Sequence, residues 1–276
     1  MNATTHDCHA HSGLGKHRDR TDAICVDHVS FGYKTDGKRF DSAGLALADV
    51  TLHIEQGSSL GIIGPNGAGK TTLLKIMLGL LDGYTGGVHV LGLSPRAACR
   101  RGDLIGYVPQ RHNVEWRFPL TVRQVVRMGL VGKTGLFRRY AQDDLDYVES
   151  LLQRVGIGEL ADRPIGDLSG GQQQRCFMAR ALAPRPKVLI LDEPLANVDE
   201  AGQRQFADLI RNVHQSLGLT IVIVSHDLRA VAAGCSSVAC LNRTVHYHDV
   251  PSGLTEDVLR EVFQHEISWV LRARQE

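Results

Sequence analysis

Three short runs, Ser59-Leu-Gly-Ile-Ile63, Val188-Leu-Ile-Leu191 and Thr220-Ile-Val-Ile-Val224, are apolar at successive positions rather than at alternate ones. A strand apolar on both faces suits the middle of a parallel sheet covered by helices on each side. From Ile24 onward such runs alternate with helix-like stretches, which predicts an α/β fold with a mainly parallel sheet. Between about Val122 and Gly156 the pattern changes. Leu145, Val148, Leu151, Leu152 and Val155 recur at helical spacing without an intervening strand, predicting an inserted helical lobe. A second one-sided stripe, Val258, Leu259, Val262, Phe263, Ile267, Val270 and Leu271, predicts a C-terminal helix packed on the domain. Residues 1–22 carry almost no large apolar side chains and are expected to form a disordered extension, leaving 23–276 as the folded domain. No internal repeat is visible.

Composition narrows the function more than the fold. The 276 residues, 43% hydrophobic and 22% charged, suffice for a substantial core. With 31 basic and 30 acidic side chains the net charge is +1, which supplies no long-range field for nucleic acid phosphates, so no nucleic acid partner is expected. Cys8, Cys25, Cys99, Cys176, Cys235 and Cys240 include no C-x-x-C pair, as suits reduced thiols. No apolar run reaches the roughly 18–20 residues of a membrane span and the N-terminus is polar, so the chain is expected in the cytoplasm.

Directly after the run ending at Ile63 comes Gly64-Pro65-Asn66-Gly67-Ala68-Gly69-Lys70-Thr71-Thr72, followed by the helix-forming Leu73-Leu74-Lys75-Ile76-Met77. Strand, glycine loop and helix are the context in which G-x-x-x-x-G-K-[ST] binds phosphate. Glycines let the backbone fold so closely that successive N–H groups converge on one anion, at the positive end of the helix dipole. Lys70 is placed to reach the β- and γ-phosphates of a polyphosphate guest, and the Thr71 hydroxyl to complete the oxygen shell of Mg²⁺. The plainer reading is a glycine turn before a helix.

A phosphate site also needs an acidic residue to hold the metal, and Asp192 closes the run from Val188. Glu193 follows it and, by strand alternation, is expected to point elsewhere, toward a water attacking the γ-phosphate as general base. The alternative is a solvated carboxylate. His226, in Ser225-His226-Asp227 after the third run, would sit at the same sheet edge and hydrogen-bond the γ-phosphate or the water. Taken alone, a histidine at a strand end is usually structural.

Leu168-Ser169-Gly170-Gly171-Gln172, followed by Gln173-Gln174-Arg175, resembles the signature of ATP-binding cassette (ABC) proteins. The resemblance runs from about Ile24 to Phe263, with an aromatic at Tyr33, the phosphate loop, Gln110, the signature, Asp192 with Glu193, Asp199 and His226 in family order. It implies a P-loop core with an antiparallel β subdomain and a helical subdomain at about 111–168. A serine and two glycines opening a helix form a second anion-binding end, 99 residues beyond Lys70. In the family two copies pair head to tail, so that ATP on Lys70 is covered by Ser169, Gly170, Gly171 and Gln172 of the other copy. The resemblance further implies that Tyr33 stacks on adenine, that Gln110 contacts Mg²⁺ and senses the γ-phosphate, and that Asp199 communicates between the two sites. One departure is the stretch Lys34 to Gly44, longer and more polar than the turn usual there.

The resemblance also implies a borrowed pore, with integral membrane permease subunits as partners at the inner face of the cell membrane and an extracytoplasmic substrate-binding protein in the complex. The segment from Tyr107 to Val122, with Gln110-Arg, Trp116 and Phe118-Pro-Leu-Thr-Val, looks like that of manganese, zinc and iron importers. Trp116 and Phe118 are either helical-lobe core residues or anchors for the permease. His6, Cys8, His9, His11 and His17 offer imidazole and thiolate to an ion such as Zn²⁺, although a flexible polar tail is the plainer reading. A cassette for another cargo and a soluble, non-transport cassette ATPase are the alternatives. The latter usually carries two cassettes or a coiled-coil insert. A different P-loop kinase or GTPase would lack Leu168 to Gln172, and the guanine-reading N-K-x-D motif is absent.

Overall fold

The computed structural model describes residues 22–33, 44–110, 119–194, 200–226, 231 and 234–263. Residues 1–21, Trp116, Phe118, Asp199, nearly all of the stretch from Lys34 and the C-terminal stripe beyond Phe263 lie outside the described residues, whereas Asp22, expected to close the disordered extension, opens the first strand because it pairs with Glu55.

The described strands form two sheets. β1 (Asp22–Gly32), β2 (Leu45–Glu55) and β4 (Thr85–Val90) make an antiparallel sheet in the order β2-β1-β4. The second contains β3 (Ser59–Ile63), β5 (Ile105–Val108), β6 (Val188–Asp192), β7 (Thr220–Ser225), β8 (Ser237–Asn242) and β9 (Thr244–Asp249), in the order β5-β6-β7-β3-β8-β9. Its neighbours run parallel except for the edge pair β8 and β9.

The three unbroken apolar runs are β6, β7 and β3, side by side at the middle of this sheet, with every residue buried. Their side chains divide by pleat between two cores. Leu60, Ile62, Ile190, Val222 and Val224 pack with Leu73, Leu74, Ile76 and Met77 of α1 (Lys70–Met77). Ile63, Leu189, Leu191, Ile221 and Ile223 pack on the opposite face with Cys176, Phe177 and Leu182. Burying one such aliphatic side chain contributes about 1.5–3 kcal/mol, so neither face tolerates a polar residue without loss.

Helix α2 (Pro95–Arg100) follows β4. Between β5 and β6 come α3 (Val122–Arg127), α4 (Val131–Thr134), α5 (Gln142–Arg154) and α6 (Gly170–Leu182), with no strand among them in the described residues. Helix α5 buries Val148, Leu151 and Leu152, and Val155 just beyond it is buried too. Helix α7 (Glu200–Leu217) joins β6 to β7. Helix α8 (Glu256–Phe263) buries Leu259, Val262 and Phe263, and Asn242 Nδ2 donates to the Val262 carbonyl at 3.0 Å. Among the described residues no helix is long and apolar enough to cross a membrane.

Candidate nucleotide site

The chain leaves β3 at Ile63, crosses the loop 64–69 and enters α1 at Lys70. Gly69 is the N-cap of α1, with φ 93°, and no side chain caps the helix. The first N–H groups of α1 are therefore left for a ligand. A Cβ at Gly64 would stand 2.0 Å from the Leu241 carbonyl oxygen, and one at Gly69 2.4 Å from that of Ala46. Only glycine permits this approach, at Gly69 in a left-handed conformation as well. Lys70 is 7% exposed and donates from Nζ to the carbonyls of Gly64 at 2.7 Å and Pro65 at 3.0 Å. Its ammonium is thus folded back over the loop, where a phosphate would meet it.

A cleft of about 290 Å³ opens above the loop, lined by Tyr33, Ala46, Asn66, Gly67, Ala68, Gly69, Lys70, Thr71, Thr72, Gln110 and Glu193. Residues up to 160 positions apart are brought together because β1, β3, β5 and β6 all end at this edge. Tyr33 is half exposed, with its hydroxyl 3.1 Å from Thr72 Oγ1 and its ring edge-on to Phe31 at 5.1 Å between centroids.

Asp192 ends β6 and is 4% exposed, and its Oδ1 has no hydrogen-bond partner among the described residues. Burial, then the charge of Glu193, raise its pKa above the usual 3.8, against smaller lowering effects of Tyr107, Lys70 and Lys75. A buried, half-partnered carboxylate beside a second carboxylate fits a hard divalent cation such as Mg²⁺. Thr71 and Gln110, which line the cleft together with Glu193, the residue after Asp192, add oxygen donors. The raised pKa means that the protonated form of Asp192 is more favoured in the folded than in the unfolded chain. This group's stabilising effect is full below the unfolded pKa and is lost as pH rises through the folded one. Asp192→Asn is therefore expected to raise the melting temperature of the nucleotide-free chain at neutral pH, as read by calorimetry. An unchanged or lower Tm would mean that the carboxylate is not under strain.

Glu193 does not continue the strand. Its direction is set by a left-handed backbone, φ 48°, held by donation from its N–H to the Val224 carbonyl at 2.8 Å. This corrects the expectation from strand alternation: the break after Asp192, not the pleat, turns Glu193 into the cleft. A non-glycine residue in this region costs about 1–3 kcal/mol and recurs at functional sites. His226 Nδ1 lies 2.7 Å from Glu193 Oε2 and the His226 N–H donates to the same oxygen at 3.4 Å. The histidine is thus engaged by the carboxylate.

Sequence reasoning missed Tyr107 on β5. Its hydroxyl donates to Asp192 Oδ2 at 3.5 Å, and burial, then the Asp192 charge, push its pKa up to about 12. Pairing of β5 with β6 sets Tyr107 beside Ile190, a register that the sequence does not display.

Ser169, Gly170, Gly171 and Gln172 do not line the cleft. Ser169 caps α6: its Oγ accepts from the Gln172 N–H at 3.4 Å, while Gln172 Oε1 accepts from the Ser169 N–H at 3.0 Å. Ser169, Gly170 and Gly171 are exposed, and a Cβ on either glycine would meet nothing within 4 Å. One chain therefore holds a phosphate loop and, apart from it, a second glycine-rich helix start facing open space.

The family model described as ABC transporter matches residues 47–196, from β2 through the end of β6, just over half of the chain. The chain belongs to the ABC transporter family. It is a nucleotide-binding ATPase of that family. The manganese transport system ATP-binding protein MntA of Synechocystis is 39% identical over 234 residues, which are 85% of each chain. The zinc transport system ATP-binding protein TroB of Treponema pallidum is 38% identical over 253 residues, 91% of each. Among solved structures, a dimeric ATP-binding cassette in a post-hydrolysis state with ADP and Pi is 28% identical. It covers 84% of this chain and 100% of its own, with a TM-score of 0.68. This ABC-family chain thus shares its fold with an ATP-binding cassette solved with ADP and Pi.

Proposed function

We propose that this ABC ATPase drives import of a divalent transition metal ion, manganese, zinc or iron, through permease subunits on whose cytoplasmic side it docks. What carries the ATP-driven part is the separation within one chain of the phosphate cleft from the open helix start at Ser169. A second copy, head to tail, supplies the missing wall. The cargo class is supported by the names of the manganese and zinc relatives, which agree on a metal and differ on which.

In this mechanism the α1 N–H groups and Lys70 hold the β- and γ-phosphates of ATP, and Tyr33 offers its ring to the adenine. Asp192, Thr71 and Gln110 would hold Mg²⁺, which neutralises charge on the phosphates when bound. Tyr107 steadies Asp192 from behind. Glu193 accepts a proton from the attacking water, and His226 holds Glu193 Oε2 in position through Nδ1 until the γ-phosphate is in place. Ser169, Gly170 and Gly171 of the second copy close over the γ-phosphate, so closure depends on bound triphosphate. Asp199 is proposed to link the paired sites, and an extracytoplasmic binding protein to deliver the cargo.

The experiment is reconstitution of the chain with its permease in lipid vesicles and measurement of ATPase rate with Mn²⁺, Zn²⁺ or Fe²⁺ on the cargo side. Stimulation of several-fold by one of these ions is expected. A complex stimulated only by a non-metal solute, or a chain that engages no membrane subunit, would overturn the cargo or the docking respectively.

A further inference from the structure

On the outer face of the antiparallel sheet, away from the nucleotide cleft, Cys25 of β1 is only 4% exposed yet belongs to neither apolar core. Its neighbours Ile24 and Val26 pack in the core, so the thiol points to the opposite face, where it meets the Asp27 carboxylate. Strand register sets Cys25 opposite His53 of β2 on one side and His89 of β4 on the other. Directly opposed residues hold their Cβ atoms about 4.5–5.5 Å apart, so this is a row of imidazole, thiol and imidazole across three strands. Asp22 and Asp27 flank it. His53 Nδ1 lies 2.9 Å from Asp22 Oδ2, its Nε2 lies 3.2 Å from Asp27 Oδ1, and Cys25 Sγ donates to Asp27 Oδ2 at 2.9 Å.

We propose that Asp22, Cys25 and His53 form a binding site for a zinc-type divalent cation, separate from the Mg²⁺ and nucleotide site. One ligand atom from each lies within 4.8 Å of the other two. A tetrahedral zinc site, with bonds of about 2.0–2.3 Å, separates its ligand atoms by about 3.3–3.8 Å, so side-chain movement of about 1 Å closes it. The donor set is selective. Thiolate with imidazole suits Zn²⁺ or Co²⁺, whereas Mg²⁺ and Mn²⁺ prefer all-oxygen shells. Asp27 takes a different part: with Nδ1 on the metal, Nε2–H donates to Asp27 Oδ1, the carboxylate–histidine–metal arrangement that fixes ring orientation. Binding releases the Cys25 proton to solvent, and the fourth position falls to His89 or water. The ion would clamp β1 to β2, the strands that lead to Tyr33 and Ala46 on one wall of the cleft. Nothing here rests on the cargo proposed above.

The test uses the full-length, reduced, nucleotide-free chain with Co²⁺ as probe, following the near-ultraviolet thiolate-to-cobalt band. Wild type is expected to bind one equivalent with that band and to lose it when Zn²⁺ is added. Cys25→Ser should abolish the band, His53→Ala should weaken affinity about 100-fold or more, and Asp27→Asn by about 10–100-fold. Cys8→Ser, in the N-terminal extension, should leave it unchanged. His53 is exposed, so His53→Ala keeps the test open if Cys25→Ser does not fold. A band that is absent from wild type, that survives Cys25→Ser, or that disappears with Cys8→Ser overturns the site. In that event the residues form an ordinary surface network, or the metal is held by the extension.

Discussion

Replacing Glu193 by Gln is expected to slow ATP hydrolysis by about 10²–10⁴-fold while leaving ATP binding intact, the largest effect of a single conservative change in this chain. The amide has nearly the carboxylate's shape and can remain on His226 Nδ1, so the turn after Asp192 need not move. What it cannot do is take a proton from water. Besides burial, the charge of Glu193 raises the Asp192 pKa, and removing it also relieves repulsion of the triphosphate, so ATP should be held at least as well. With hydrolysis blocked, the ATP-closed pair should accumulate, visible as a dimer on gel filtration with ATP and absent with ADP. Adding Gly170→Asp, which sets a negative charge on the exposed start of α6, should prevent that dimer. A Glu193→Gln chain that released phosphate at the normal rate would remove Glu193 as the base.

Lys70→Ala is expected to fail earlier, at binding. The Lys70 ammonium lies against the phosphate loop and is already desolvated against the Gly64 and Pro65 carbonyls. A hydrogen bond to a charged group contributes about 1.5–3 kcal/mol, so ATP affinity should fall by about 10–100-fold or more. Fold stability is expected to fall as well, by about 1–3 kcal/mol, because the buried Gly64 carbonyl loses its Nζ donor. Titration with a fluorescent ATP analogue, beside a thermal melt, separates the two effects. Wild-type affinity in Lys70→Ala would mean that the helix N-terminus alone holds the triphosphate.

The two carboxylates show where reading along the chain works and where it stops. Asp192 was legible because an acidic residue closing an apolar run has one structural setting, the end of a buried parallel strand, and β6 provides it. Glu193 was legible as a residue but not as a conformation. Alternation describes a strand that continues, and β6 ends at Asp192 with a left-handed turn that no local pattern announces. His226 was legible as a neighbour of the cleft, but its hydrogen bond to Glu193 depends on β6 and β7 being adjacent, a pairing between segments over 30 residues apart. Tyr107 was missed for the same reason. Nothing around it marks a partner for Asp192, and only the β5–β6 pairing creates one.

By itself the sequence determined the class of fold, the phosphate loop and the second glycine-rich helix start. These follow from local rules: apolar periodicity, the need for glycine where backbone meets an anion, and capping chemistry at a helix end. Only the tertiary structure decided which distant residues share a surface. It gathered Tyr33, Lys70, Gln110 and Glu193 at one edge of the sheet, kept Ser169 to Gln172 apart from them, and aligned His53, Cys25 and His89 across three strands. The physical reason is that strand order and register arise from burial summed over the whole sheet, a quantity that no short stretch of chain contains.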